Sequence, residues 1–283
     1  MTVHRFYEFD PHAMNVPWLE SPFASQLLEQ AALPGEAGRL CREFAEKGYV
    51  VFDSGLPEEV FDTIREQLAG RYRPDGAPTQ SCSGRIQDAW SIDDSRLRDA
   101  LFSVACGDHV LDLFRVLYRR EPVPFQTLNF PKGTEQKTHS DTLHFHSLPH
   151  RFMCGVWIAF EDIDTTSGPL HYYPGSHKLP IFDLHDLGLY STNPIYETED
   201  KWPLMRQYER FIQALTHAQK LERTEFCARK GQVLIWSANL LHGGCPILDP
   251  DRSRHSMVTH YFFEDCVYYT PFNSDPALGR YSL

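Results

Sequence analysis

The tract His139-Ser140-Asp141 sets an imidazole and a carboxylate two residues apart. On an extended chain, side chains i and i+2 share a face with Cα atoms about 6–7 Å apart, so one cation could reach both. A third donor must come from elsewhere. His242, in Leu240-Leu241-His242-Gly243-Gly244, is best placed, because it follows an apolar run from Gln232 to Trp236 and stands beside glycines that let a ligand approach. Two imidazoles and one carboxylate make a facial set with three open positions, the donor pattern of non-haem Fe(II) oxygenases, whereas structural zinc takes closed, thiolate-rich tetrahedra. Twelve residues beyond His242 comes Arg254, immediately before an apolar strand. A guanidinium there can fork onto a carboxylate, or else pair at the surface with Asp249 or Asp251.

Other groups compete for these roles. His144 and His146 form a second i, i+2 pair, which could serve a cupin-type metal site; the alternative is a loop from Thr142 to Pro149 over the metal, with His144 or His146 facing substrate. His260, inside the last core strand, reads as a satisfied buried histidine rather than a ligand. Arg85, with Gln87 and Asp88, could bind a polar or anionic substrate or simply belong to a surface loop.

These groups need a scaffold. Apolar residues at helical spacing mark helices through Ala37, Leu40, Cys41 and Phe44, and again through Val60, Phe61, Ile64 and Leu68 after Pro57, with Tyr49 to Phe52 a short strand between them. A further helical region runs from about Ser95 to Tyr118. From Pro122 the texture changes to short β-branched and aromatic runs, at 125–130, 153–163, 170–173, 232–236 and 256–263. An insert at about 199–218, with Met205, Tyr208, Phe211, Ile212 and Leu215 on one stripe, reads as a helix covering one mouth of the β core, its acidic start being Glu197, Glu199 and Asp200. The expected architecture is mainly β with α: a jelly-roll or cupin-like β core over about 122–265, preceded by a helical part over about 1–120, in one domain of 283 residues.

Composition narrows the function classes. Lys and Arg number 27 against 38 Asp and Glu, a formal charge of −11, which opposes non-specific binding to a phosphate backbone. No apolar run approaches the ~20 residues of a membrane-spanning helix, and Met1 to Pro11 is too polar for a signal-peptide core. Seven cysteines without a CxxC pair fit reduced thiols and a cytoplasmic setting. The expected partner is a small molecule, with no nucleic acid and no membrane; nothing in the sequence fixes an oligomeric state.

Several ordered motifs carry a family likeness: Asn129-Phe130-Pro131-Lys132-Gly133 leading into His139-Ser140-Asp141, then Trp157, Gly168-Pro169-Leu170, Tyr173-Pro174-Gly175-Ser176-His177, His242-Gly243-Gly244 and Arg254-x-Ser256. On these the chain, from about Phe125 to Glu264, resembles the phytanoyl-CoA hydroxylase-like family of Fe(II)/2-oxoglutarate dioxygenases. The resemblance implies a double-stranded β-helix, with Fe(II), 2-oxoglutarate as cosubstrate and O2. It implies iron ligation by His139, Asp141 and His242, capture of the distal 2-oxoglutarate carboxylate by Arg254 with Arg252 as a fallback, and Thr127, Asn129 and Trp157 beside the cosubstrate. The chain departs from it at Gly244, where many relatives have a serine, which leaves a second donor to that carboxylate unassigned. The implied outcome is hydroxylation of an unactivated C–H bond with release of succinate and CO2; desaturation, ring closure or epimerisation can start from the same chemistry. Halogenation is disfavoured, since related halogenases lack the carboxylate that Asp141 supplies. A cupin-like isomerase or hydrolase and a non-catalytic jelly-roll binding module are the other readings.

Overall fold

The computed structural model describes residues 10–72, 84–189 and 202–274, with Gly279 and Ser282. Glu197, Glu199, Asp200 and Lys201, at the start of the expected insert, lie outside the described residues.

Five helices precede most of the β structure: α1 (Ala24–Ala31), α2 (Gly35–Lys47), α3 (Glu58–Ala69), α4 (Ser95–Ala105) and α5 (Asp108–Tyr118). α2 stops where Gly48 turns left-handed at φ 81° and its N–H closes on the Phe44 carbonyl. The helical region expected from about Ser95 to Tyr118 holds two helices. Gly107 adopts extended backbone between α4 and α5, and a Cβ there would lie 2.5 Å from the Ser103 carbonyl oxygen. α6 (Trp202–Ala218) occupies the expected insert. Among the described residues, no helix is long and apolar enough to cross a membrane.

Among the described residues, eleven short strands form antiparallel sheets. The largest has the order β1 (Tyr49–Asp53), β8 (Gln232–Ser237), β5 (Met153–Ala159), β10 (Ser256–Phe263), β3 (Pro122–Phe130) and β2 (Ile86–Gln87). A smaller sheet joins β7 (Thr224–Phe226), β6 (Leu170–Tyr172) and β9 (His242–Gly244), and β4 (His146–Leu148) pairs with β11 (Val267–Tyr269). Strand alternation sends successive side chains to opposite faces. Val156, Ile158, Val233, Ile235 and Met257 therefore pack with Phe44, Phe61 and Phe114 of the helical layer. Trp157, Leu234, Trp236 and Val258 point the other way and meet Tyr172 and Phe226 of the smaller sheet. The central strands are apolar on both faces because both are covered.

One irregularity matters for the site. In the β10–β3 ladder, His260 pairs with Gln126 but Tyr261 pairs with Pro124, so Phe125 is an extra residue. The bulge brings Gln126 against His260, at 3.0 Å between Oε1 and Nδ1.

Candidate metal centre

His139 and His242 meet across an isolated antiparallel bridge, His139 N–H to His242 carbonyl at 2.9 Å and the reverse at 3.0 Å. The bridge lengthens the small sheet by one position beyond β9. Asp141 then opens a one-turn 3-10 helix, Asp141–Leu143, capped by the Ser140 hydroxyl. The extended strand expected through His139-Ser140-Asp141 is thus a bridge followed by a turn, and the turn swings the carboxylate back toward both imidazoles. Asp141 Oδ1 lies 3.6 Å from His139 Nε2 and 3.7 Å from His242 Nε2. All three donor atoms fall within 4.8 Å of one another, and all three residues are buried.

The surroundings fix the donors. His139 Nδ1 contacts the Lys137 carbonyl at 2.8 Å and His242 Nδ1 the Leu240 carbonyl at 2.9 Å, so each ring keeps its proton on Nδ1 and turns the Nε2 lone pair to the centre. Asp141 Oδ2 accepts the Trp236 indole N–H at 2.7 Å, which leaves Oδ1 for a cation. Burial alone would push the Asp141 carboxyl up; the imidazoles of His242, His139 and His260 outweigh it and hold the group well below the usual carboxylate range. Burial likewise opposes charge on His139, but Asp141 holds that imidazole above its ordinary value. Burial pushes His242 down to about 4, so it is a neutral donor at pH 7. The set suits a divalent cation with open coordination positions.

The loops that carry the ligands are lashed together. Ser140 Oγ donates toward the Ala238 carbonyl and Asn239 Oδ1, both at 3.1 Å, and the Leu241 N–H donates to Ser176 Oγ at 2.9 Å. From α6, Tyr208 Oη accepts the Ser140 N–H at 3.3 Å. The glycines after His242 serve chain crossing: a Cβ at Gly243 would lie 2.7 Å from the Gln136 carbonyl oxygen, and one at Gly244 would lie 2.8 Å from Thr134 Oγ1. They admit the 134–136 segment.

The triad opens into a cavity of about 840 Å³, also lined by Arg85, His144, Trp157 and Arg254. Arg254 is only 1% exposed. It does not pair with Asp249 or Asp251; its Nη1 donates to the Gly168 carbonyl at 3.1 Å, and its guanidinium lies 5.9 Å from the Phe130 ring and 5.8 Å from that of Trp157. Burial pushes it down to about 10, so it stays charged at pH 7. The buried Arg254 Nε and Trp157 Nε1 have no hydrogen-bond partner. A lone buried guanidinium and an unmet indole donor on one cavity suit an anionic ligand with carboxylate oxygens. Arg252 instead pairs at the surface with Asp164, at 2.8 Å.

Other expected positions fall elsewhere. Thr127 and Asn129 are fully buried, but β3 presents Gln126, Leu128 and Phe130 to the cavity, so these two project from its opposite face. His146 is also turned away, its Nε2 2.6 Å from His150 Nδ1, which separates it from His144 and removes the pair as a shared metal site. His144 remains on the cavity, pushed down to about 4 by burial and by the charge of His139. His260 also lines the cavity, with Nε2 3.9 Å from Asp141 Oδ2, behind the triad. Trp236 and Thr134 were hidden to sequence reading, Trp236 as one apolar residue in a strand. The usable signal was that Trp236 and Leu234 alternate onto the face that leads to His242.

The Phytanoyl-CoA dioxygenase family model matches residues 44–256. Ectoine dioxygenase of Halomonas elongata is 24% identical over 268 residues, which span 90% of this chain and 78% of the relative. A non-heme α-ketoglutarate-dependent carbocyclase from nogalamycin biosynthesis shares the fold with a TM-score of 0.60 at 18% identity, over 84% of this chain and 88% of that one. EctD from S. alaskensis, solved with 2-oxoglutarate and 5-hydroxyectoine, gives 0.58 at 17% identity, over 83% and 78% of the two chains.

Proposed function

The chain belongs to the phytanoyl-CoA dioxygenase family, and on that premise we propose that it is an Fe(II)/2-oxoglutarate-dependent oxygenase that hydroxylates an unactivated C–H bond of a small molecule. The convergence of His139 Nε2, Asp141 Oδ1 and His242 Nε2 inside the cavity that Arg254 also lines is the observation that carries this reading. The antiparallel sheets, with the ligands on the small sheet and the turn beside it, are read as a double-stranded β-helix core. Six described cysteines are unpaired, which supports the cytoplasmic setting.

When bound, ferrous iron and 2-oxoglutarate supply the oxidising power, coupling reduction of O2 to decarboxylation of the cosubstrate to succinate and CO2. The chain's own groups bind and orient. His139, Asp141 and His242 would hold the cation through His139 Nε2, Asp141 Oδ1 and His242 Nε2. Trp236 keeps Asp141 to a single ligating oxygen. Arg254 forks onto the distal carboxylate of the cosubstrate, and Trp157 walls it. Thr134 is the second donor to that carboxylate: its side chain borders the cavity in the space that Gly244 leaves open, and the adjoining Gly133 packs against Gly168, whose carbonyl holds Arg254. Apolar walls from Leu128, Phe130, Leu170 and Val258 keep water from the reacting groups.

The test is formation of succinate from 2-oxoglutarate under air. The proposal expects iron-dependent succinate, accelerated by the primary substrate, with a raised KM for 2-oxoglutarate in Arg254→Gln. A cupin-like isomerase or hydrolase, or a binding module, would give no succinate at all.

A further inference from the structure

Four carboxylates and guanidiniums line the cavity: Arg85, Asp141, Glu209 and Arg254. Asp141 serves the cation and Arg254 the cosubstrate, on the reading above. Arg85 remains, half-buried, with no carboxylate within ion-pairing distance among the described residues. Its position is built. It immediately precedes β2, whose Ile86 and Gln87 pair with Asn129 and Leu128 of β3. The neighbouring Asp88, at a left-handed φ of 50°, turns its carboxylate to the Thr127 N–H at 2.9 Å and the Gln87 amide at 3.2 Å and makes no direct ion pair with Arg85. Burial, with the charge of Arg85 adding to it, pushes the imidazoles of His144 and His260 below their ordinary values. The same cavity is lined by the aromatic rings of Phe145 and Phe272. Phe145 is braced edge-on by Phe125 at 5.1 Å, and Phe272 stands 5.9 Å from the His144 ring. Glu209, from α6, repels a second anionic group. The volume, about 840 Å³ shared with a small cosubstrate, suits a drug-sized ligand.

We propose that the primary substrate is a small, ring-containing molecule bearing one anionic group, carboxylate or phosphate, which Arg85 anchors while the apolar body lies against Phe145 and Phe272. This rests on the oxygenase reading in one respect, the assignment of Arg254 to the cosubstrate.

The experiment is calorimetric titration of the Co(II)- and 2-oxoglutarate-loaded protein with 3-phenylpropanoate, phenyl phosphate and the uncharged 3-phenylpropanamide. At least one acid binds, and the amide binds roughly tenfold or more weakly. Whichever acid is preferred identifies the anionic group. Arg85→Gln removes the preference for acid over amide with 2-oxoglutarate affinity unchanged, and Arg85→Lys keeps part of it. Equal binding of acid and amide, no acid binding at millimolar concentration, or a preference that survives Arg85→Gln overturns the proposal. The two readings fail separately: Arg85-dependent acid binding without Co(II) or 2-oxoglutarate binding sinks the oxygenase, and the reverse sinks only the anchor.

Discussion

Asp141 is the residue on which the centre turns, because its two oxygens have different duties. Oδ1 faces the histidines while Oδ2 takes the Trp236 N–H at 2.7 Å. Groups that orient a ligating side chain typically change metal affinity by about 10–100-fold when removed. Trp236→Phe keeps an aromatic ring, though a smaller one, and deletes the donor, leaving Oδ2 with only His260 at 3.9 Å. Titration with Co(II) should show affinity reduced by roughly 10–100-fold, with the far-ultraviolet circular dichroism of the wild type. Wild-type affinity would show that the indole merely fills space. The convergence of His139, Asp141 and His242 was legible in the sequence because few residue types bind ferrous iron and because His139-Ser140-Asp141 and His242 carry their own context. Their supports were not. A tryptophan in an apolar strand announces burial, and only the register shows which carboxylate its N–H meets.

Elements decide which face a residue presents. In the β5–β8 ladder Gly155 stands opposite Trp236, and a Cβ at Gly155 would lie 2.1 Å from the indole Cζ2. Glycine here seats the tryptophan. Gly155→Ala must displace the indole, which should cost about 1–3 kcal/mol of stability in urea denaturation. It should also weaken Co(II) binding in the same direction as Trp236→Phe. Both changes act through one contact, so the double variant should lose less than the sum of the two; additive losses would separate Gly155 from the site. The same reasoning explains why Thr127 and Asn129 were misplaced. Motif position brought them to the right strand, but a period of two is unforgiving, and it puts Leu128 and Phe130 on the cavity. Helix positions survived the passage to structure where an apolar stripe was long, but the division of the 95–118 region at Gly107 did not show, because the apolar pattern continues through the break in the helix. The short strands β2, β4, β7, β9 and β11 carry two or three residues each, too few for any period to show.

At the scale of the molecule, the helical layer, the large sheet and the small sheet are tied by more than apolar packing. Arg151 donates to Glu20 at 2.9 Å, on the segment before α1, and to the carbonyls of His177 at 2.7 Å and Leu179 at 3.2 Å beyond β6. Burial pushes the Glu20 carboxyl above its ordinary value despite the opposing charge of Arg151. The folded state therefore holds this proton more tightly than the unfolded chain, and the group's contribution to stability declines as pH rises from the ordinary carboxylate value through the folded one. Arg151→Ala removes the counter-charge and raises the folded value further. Breaking such a buried pair typically costs about 3–5 kcal/mol. The deficit in Arg151→Ala, followed by urea denaturation, should be largest near pH 8 and shrink toward pH 5; a deficit independent of pH would mean that Glu20 carries no charge in the folded protein.

The central claim is that His139, Asp141 and His242 hold one ferrous ion to which 2-oxoglutarate binds under the control of Arg254. An α-keto acid chelated to Fe(II) absorbs weakly in the visible, so anaerobic titration of the Fe(II)-loaded protein with 2-oxoglutarate reads the whole assembly at once. The account predicts a saturable band in the wild type and its loss in Asp141→Ala and His242→Ala. In Arg254→Gln the band should persist but require roughly tenfold or more 2-oxoglutarate. No band in the wild type, or the same band at the same concentration in all three variants, would contradict it.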